Sequence, residues 1–224
     1  MSDWCFNDEQ TRLAYERYRA AGPNWVPDCV KFGYVAGQCD CGRVKEYKGP
    51  KCGIGCLDED TTVLMSDGKT VVPIYKLKPG DMLYGGGKVR KVVRFHIDRI
   101  IEMCEPAPGV LVTEWHPMRT QNKPEWFFPC EKYKPNLVYV NTVVDLVLDF
   151  SYIIPVCDLN YELLEFVSMA HGVKEPPILN HSYWGTDALL RDLRLHPNYN
   201  SGYINIHDCE LLYNEDGIVC KMEF

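Results

Sequence analysis

No apolar run in this chain approaches the roughly 18 residues that a membrane-crossing helix needs, so no such span is expected. The opening residues, Met1-Ser2-Asp3-Trp4-Cys5-Phe6, lack the basic-then-apolar plan of a secretory leader, and a cytoplasmic location follows as the expectation. Positive charge is in short supply. Lys and Arg number 24 against 31 Asp and Glu, a net charge of -7, and no basic cluster stands out, which argues against a nucleic-acid partner. Internal repeats and low-complexity tracts are absent too. The 224 residues suffice for one sizeable core plus a small appendage.

Cysteine is plentiful. There are 11, an odd number at irregular spacing, which speaks for reduced thiols and against a fully paired disulfide scaffold. Their setting changes along the chain. In residues 1–22, Asn7 caps a predicted helix with Leu13, Ala14, Tyr15, Tyr18 and Ala21 at helical spacing, ended by Gly22-Pro23. Residues 23–55 are a loop-rich stretch of Gly and Pro that holds Cys29, Cys39, Cys41 and Cys52. From residue 56 onward short β-rich runs alternate with turn signals every 8–12 residues, so an all-β domain is expected over 56–224, with 1–55 as a separate segment. Expected strands are Thr61–Met65, Val71–Leu77, Met82–Tyr84, Lys88–Ile101, Gly109–Thr113, Trp126–Cys130, Leu137–Thr142, Leu146–Leu148, Tyr152–Cys157 and Leu163–Ala170. A helix capped by Thr186, with Leu189, Leu190 and Leu193 on its buried stripe, is the last clear element. Cys104, Cys130 and Cys157 fall in apolar strands and read as core thiols.

The junction of the two regions, Gly53-Ile54-Gly55-Cys56-Leu57-Asp58, places a thiol directly after glycine. Such a thiol can attack the carbonyl of residue 55 through a five-membered ring, turning the peptide bond into a thioester. The shift is uphill for a relaxed amide, so the fold must strain or polarise the bond and supply a proton to the leaving nitrogen. Gly55 adds no side chain at the attacked carbonyl. Thr113-Glu114-Trp115-His116 offers a hydroxyl and an imidazole three residues apart at the end of an apolar strand. On spacing alone, a lone cysteine in a glycine-rich loop is more often a buried or zinc-bound thiol than a nucleophile.

The run Cys56-Leu57-Asp58-Glu59-Asp60-Thr61-Thr62-Val63-Leu64-Met65-Ser66-Asp67-Gly68, with Ile74-Tyr75-Lys76-Leu77-Lys78-Pro79-Gly80-Asp81-Met82-Leu83, resembles the opening of a Hint domain, the hedgehog/intein self-processing fold. Thr113-Glu114-Trp115-His116 is similar to that family's Thr-x-x-His block. Val144–Asp149, Ser168–Gly172 and His181–Thr186 resemble the Vint subtype, found with von Willebrand factor A domains. The resemblance implies an all-β fold of short strands in a pseudo-two-fold arrangement. It also implies that Cys56 is the nucleophile, that His116 protonates the departing amide nitrogen and that Thr113 polarises the Gly55-Cys56 bond. Val93–Arg99 is similar to a hedgehog stretch whose aspartate activates a second nucleophile. That makes Asp98 a further candidate, with a surface ion pair as the alternative and His96 as its neighbour. His171 and His181 lie within the Vint-like segments, as catalytic or structural groups.

Departures from the pattern limit the activity expected. The chain has no terminal His-Asn pair, and Asn180-His181 has the order reversed, so splicing is not expected. No apolar extension suited to a sterol follows. The substrate would be the chain's own N-terminal segment, and the thioester would pass to water or to an unidentified thiol, amine or alcohol. No cofactor is required. The rival reading is a non-catalytic module, either degenerate or stabilised by zinc on Cys39, Cys41, Cys52 and Cys56, which would occupy the nucleophile. A variant of the zinc site draws on Cys5, Cys29 or Cys39 in place of Cys56 and leaves the thiol free.

Overall fold

Beyond residue 56, β-branched runs broken by Gly, Pro and Asp become strands in the computed structural model, and the domain is all-β with minor helices. The structure describes residues 55–121, 123–171, 183–215 and 219–224. The predicted N-terminal helix, Cys39, Cys41, Cys52 and His181 lie outside the described residues. In chain order the strands are β1 (Leu57–Asp58), β2 (Thr62–Leu64), β3 (Val71–Pro73), β4 (Lys88–Ala107), β5 (Val110–Thr113), β6 (Met118–Thr120) and β7 (Asn136–Asp149). After them come β8 (Ile153–Cys157), β9 (Leu163–Val167), β10 (Ala170–His171), β11 (Tyr203–Ile206), β12 (Glu210–Tyr213) and β13 (Val219–Glu223). The helices are α1 (Pro129–Lys132) and α2 (Asp187–Leu195).

β4 and β7 form the spine, an antiparallel ribbon running from Lys88↔Asp149 to Met103↔Asn136. Every residue from Thr142 to Leu148 is buried, as in a strand covered on both faces. Val144, Leu146 and Leu148 pack with Leu57, Val112 and Phe166 in one core. Val143 and Val147 pack with Cys56, Tyr183, Leu189 and Ile204 in a second. β7 is therefore the wall between two cores. β1 pairs with both β5 and β7, while β10 and β11 add parallel edges to the same six-stranded sheet. A five-stranded sheet, β3-β2-β8-β9-β6, closes the first core. α2 and the β12–β13 hairpin close the second. Asp192 on α2 accepts from the Tyr183 hydroxyl at 2.7 Å and from Met222 N–H at 3.0 Å, stapling helix to hairpin.

The helix over Asp187–Leu195 forms as its sequence predicts, with Thr186 Oγ1 accepting from Ala188 N–H at 3.2 Å. Several strand expectations shift. Val71–Leu77 is strand only to Pro73 and then a 3-10 turn, because proline brings no N–H to the ladder. In Trp126–Cys130 only Phe127 bridges Met118, and Pro129 starts α1. The two runs Leu137–Thr142 and Leu146–Leu148 are one strand, since Asp145 between them keeps its place in the ladder. β1, β6, β11, β12 and β13 have no counterpart among the expected strands; they are short, and β12 and β13 carry charged residues without clean alternation. All six cysteines among the described residues are free thiols. Cys104 and Cys157 are buried and Cys130 half-buried. No helix among the described residues is long and apolar enough to cross a membrane.

Leu57 is fully buried and touches strands on both sides, so Leu57→Ala should lower unfolding free energy by about 2–5 kcal/mol in urea denaturation. A loss under about 1 kcal/mol would mean that β1 is not anchored by burial.

Candidate functional site

Strand register assembles the site. Leu57 faces Val112 on one side and Val144 on the other. One residue back on this antiparallel strand, Cys56 falls between Thr113 and Asp145. The hydrogen bonds agree. Thr113 N–H donates to Cys56 O at 3.0 Å, and Cys56 N–H donates to Thr113 Oγ1 at 2.9 Å. That second donor belongs to the Gly55-Cys56 amide itself. The Thr113 hydroxyl also lies 3.3 Å from Cys56 O, to which it can donate.

After Thr113 the chain turns tightly, His116 N–H donating to Thr113 O at 3.3 Å, which swings His116 over the residue before the cysteine. A Cβ on Gly55 would lie 3.2 Å from both Cα and Cγ of His116, closer than most real Cβ contacts, so His116 would have to give way slightly. Position 55 is thus glycine for reasons of room. The His116 ring is buried edge-on to Phe166, and its Nε2 lies 2.7 Å from Val167 O. A carbonyl can only accept, so Nε2 carries the proton and Nδ1 presents a lone pair. Nδ1 is buried with no well-formed hydrogen bond, although the Cys56 backbone lies near enough to favour its protonation slightly.

Burial sets the protonation of all three titratable groups. It drives the His116 pKa down to about 4, and the Val167 and Cys56 backbone contacts only partly oppose it. It pushes the Cys56 thiol well up, with the Asp145 carboxyl and Cys209 adding to the shift. Asp145 is likewise pushed well up by burial, although its Oδ1 accepts from Leu146 N–H at 2.6 Å and Met169 N–H at 3.1 Å. At neutral pH the site therefore holds a protonated thiol and a neutral imidazole, with the Asp145 carboxyl shifted by burial toward its protonated form.

Over residues 55–215 the sequence matches the Vint family, described as a Hint-domain, which takes in well over half of the chain. The chain belongs to the Vint family of Hint domains. Among solved structures, a crystal structure of the gp41-1 intein is similar at 14% identity and a TM-score of 0.36, with 50% of this chain and 98% of the intein covered. A triply substituted form of that intein gives 14%, 0.35, 50% and 98%. No curated protein matches the chain.

Of the residues singled out in the sequence, this Hint domain brings Gly55, Cys56, Thr113 and His116 together. Asp98 stands apart. It is exposed, sits at a bulge of β4 with φ 44°, and accepts a hydrogen bond from the Tyr139 hydroxyl. Val93, not Asp98, pairs with Asp145, and Asp98 lies five residues farther along β4 from Val93, a rise of roughly 16 Å. His96 also points elsewhere, stacked on His207 with ring centroids 4.2 Å apart. His171 lies in β10 beside Leu148. No group of three or more His, Cys, Asp or Glu suited to a metal occurs among the described residues.

Asp145 is the residue that sequence reasoning did not assign to the site. A carboxylate centred in an apolar run, Val143-Val144-Asp145-Leu146-Val147-Leu148, was the available signal, because burial of such a group needs a local reason. The tripeptide 167–169 serves both neighbours of the thiol: Val167 O anchors His116, and Met169 N–H anchors Asp145.

The His116 shift has a sign that denaturation can read. The unfolded chain protonates this residue below about pH 6.5 and the folded chain only below about 4, so the unfolded state holds more protons in between. Stability should therefore fall as pH is lowered through that window, by up to roughly 3 kcal/mol from this residue. Urea denaturation at pH 7 and pH 4.5 should show that fall in wild type and a smaller one in His116→Gln. Identical pH dependence in the two would contradict a buried neutral imidazole.

Proposed function

We propose that this Hint domain processes its own chain by an N-to-S acyl shift at Gly55-Cys56. The observation that carries the reading is the 2.9 Å hydrogen bond from the amide N–H of this bond to Thr113 Oγ1, with His116 packed against Gly55. Family membership supports self-processing of the Hint type in general; the steps below are the specific form that this geometry suits.

Cys56 Sγ attacks the carbonyl carbon of Gly55 and gives up its proton to Nδ1 of His116. The imidazolium so formed, with a pKa of about 4, is a strong acid and returns the proton to the Cys56 nitrogen as the C–N bond breaks. The products are a thioester between Gly55 and the Cys56 sulfur and a free α-amine on Cys56. Thr113 holds the amide N–H and the Cys56 carbonyl, keeping the nitrogen oriented toward His116. Asp145 stands on the other side of the thiol, and burial shifts its carboxyl toward the protonated form, which lessens the negative charge beside the attack. Water or a small thiol, amine or alcohol then takes the acyl group. No cofactor enters these steps.

On incubation with dithiothreitol the chain should separate into 1–55 and 56–224, followed by gel electrophoresis. Cys56→Ala should abolish the separation, and His116→Ala should slow it by at least about 100-fold. Gly55→Ala should slow it by crowding His116, with little loss in a variant that leaves His116 in place, such as Asp98→Asn. Wild-type rates in Cys56→Ala and His116→Ala would place the chemistry elsewhere. A chain that stays intact under all conditions would favour the non-catalytic reading, which the full burial of Cys56 would then explain.

A further inference from the structure

On the first-core side of the spine, away from Cys56, an open cleft of about 850 Å³ lies between the 3-10 turn Ile74–Lys76, β4 and the approach to β11. Lys76, Lys78 and Arg94 line it with the rings of Tyr75 and Tyr203, and no carboxylate does. In a chain of net charge -7, three cations in a cleft whose lining holds no carboxylate make a local inversion of sign.

Arg94 is built in rather than draped over the surface. Its Nη2 donates to Tyr75 O at 2.6 Å, and its guanidinium lies over the Tyr203 ring at 5.2 Å. Its Nε is buried and has no hydrogen-bond partner among the described residues. A buried guanidinium N–H without an acceptor is costly, and beyond Nε and the Nη2 bond to Tyr75 O the guanidinium has further N–H donors that suit the oxygens of phosphate or carboxylate. Glu59 lies close enough to feel the charge of Arg94, but no ion pair joins them among the described residues. Lys76 and Lys78 sit at the mouth, both exposed.

We propose that this cleft binds a small molecule bearing a phosphate or carboxylate group, whose oxygens meet Arg94 between the two lysines. The volume suits a ligand of metabolite size, and the tyrosine rings give its uncharged part a surface to lie on. Arg94 pairs with Val144, whose side chain faces the first core, whereas Cys56 belongs to the second. The inference thus stands whether or not the Gly55-Cys56 bond is cut.

The test is an NMR titration of the ¹⁵N-labelled chain, with cleavage blocked by Cys56→Ala, against inorganic phosphate and against citrate. Sodium chloride at matched ionic strength is the control. Saturable shifts confined to residues 75–78, 94 and 203–205 are expected with at least one of the two probes, and the tighter probe identifies the group. Lys76→Gln with Lys78→Gln, at exposed positions that leave the fold intact, should weaken binding at least about 10-fold. Arg94→Gln should abolish it. Shifts that match chloride and never saturate overturn the proposal, as does unchanged affinity in the double lysine variant.

Discussion

The two-residue strand at Leu57–Asp58 is too short to persist by itself, and it exists because Leu57 is gripped from both sides, by Val112 on β5 and Val144 on β7. That grip dictates the surroundings of the residue before it. Given the register, Cys56 must sit between Thr113 and Asp145, and the turn after Thr113 must carry His116 back over Gly55. The segment 167–169 then ties the imidazole and the carboxyl to a common piece of backbone. Slipping β1 by one residue would send Leu57 into the second core and Cys56 into the first, so the register is held by the apolar side chain and the site comes with it.

The same burial that anchors the strand shapes the chemistry. A thiol, a carboxyl and an imidazole in apolar surroundings all favour their neutral forms, and the directions of their shifts agree with that. Ion-pair activation of the cysteine is unavailable in such a place. The proposed acyl shift would instead run on internal proton traffic, with a base weak enough to become a strong acid once it is charged. Among the described residues, Nδ1 of His116 is a buried lone pair beside the Gly55-Cys56 amide suited to that traffic.

Much of this was legible in the chain. Period-two runs and turn residues such as Asp67-Gly68 announced an all-β domain, and Thr186 with its leucine stripe announced α2. Cys56, Thr113 and His116 carried the family pattern, and the structure brings those three together. Other features depended on long-range contacts that no local pattern encodes. β11 to β13 are too short and too mixed in polarity to read, and α1 owes its place to Pro129 breaking an otherwise apolar run. Asp145 looked like an interruption of a strand, when its two backbone hydrogen bonds make it part of one. Asp98 matched a related pattern but occupies a bulge on the surface, since a bulge shifts which face a residue takes. The Arg94 cleft gave no signal at all, because Lys76 and Lys78 in a turn and Arg94 on β4 form no basic run and meet only through the fold.

The central claim is that the carbonyl of Gly55 becomes an acyl thioester on Cys56. Hydroxylamine reports on that species directly, since it captures thioesters and leaves ordinary peptide bonds intact. Mass spectrometry of the chain after such treatment should find residues 1–55 ending in a hydroxamate, together with 56–224 bearing a free N-terminal cysteine. An uncut chain, or a cut at any other bond, would contradict the account.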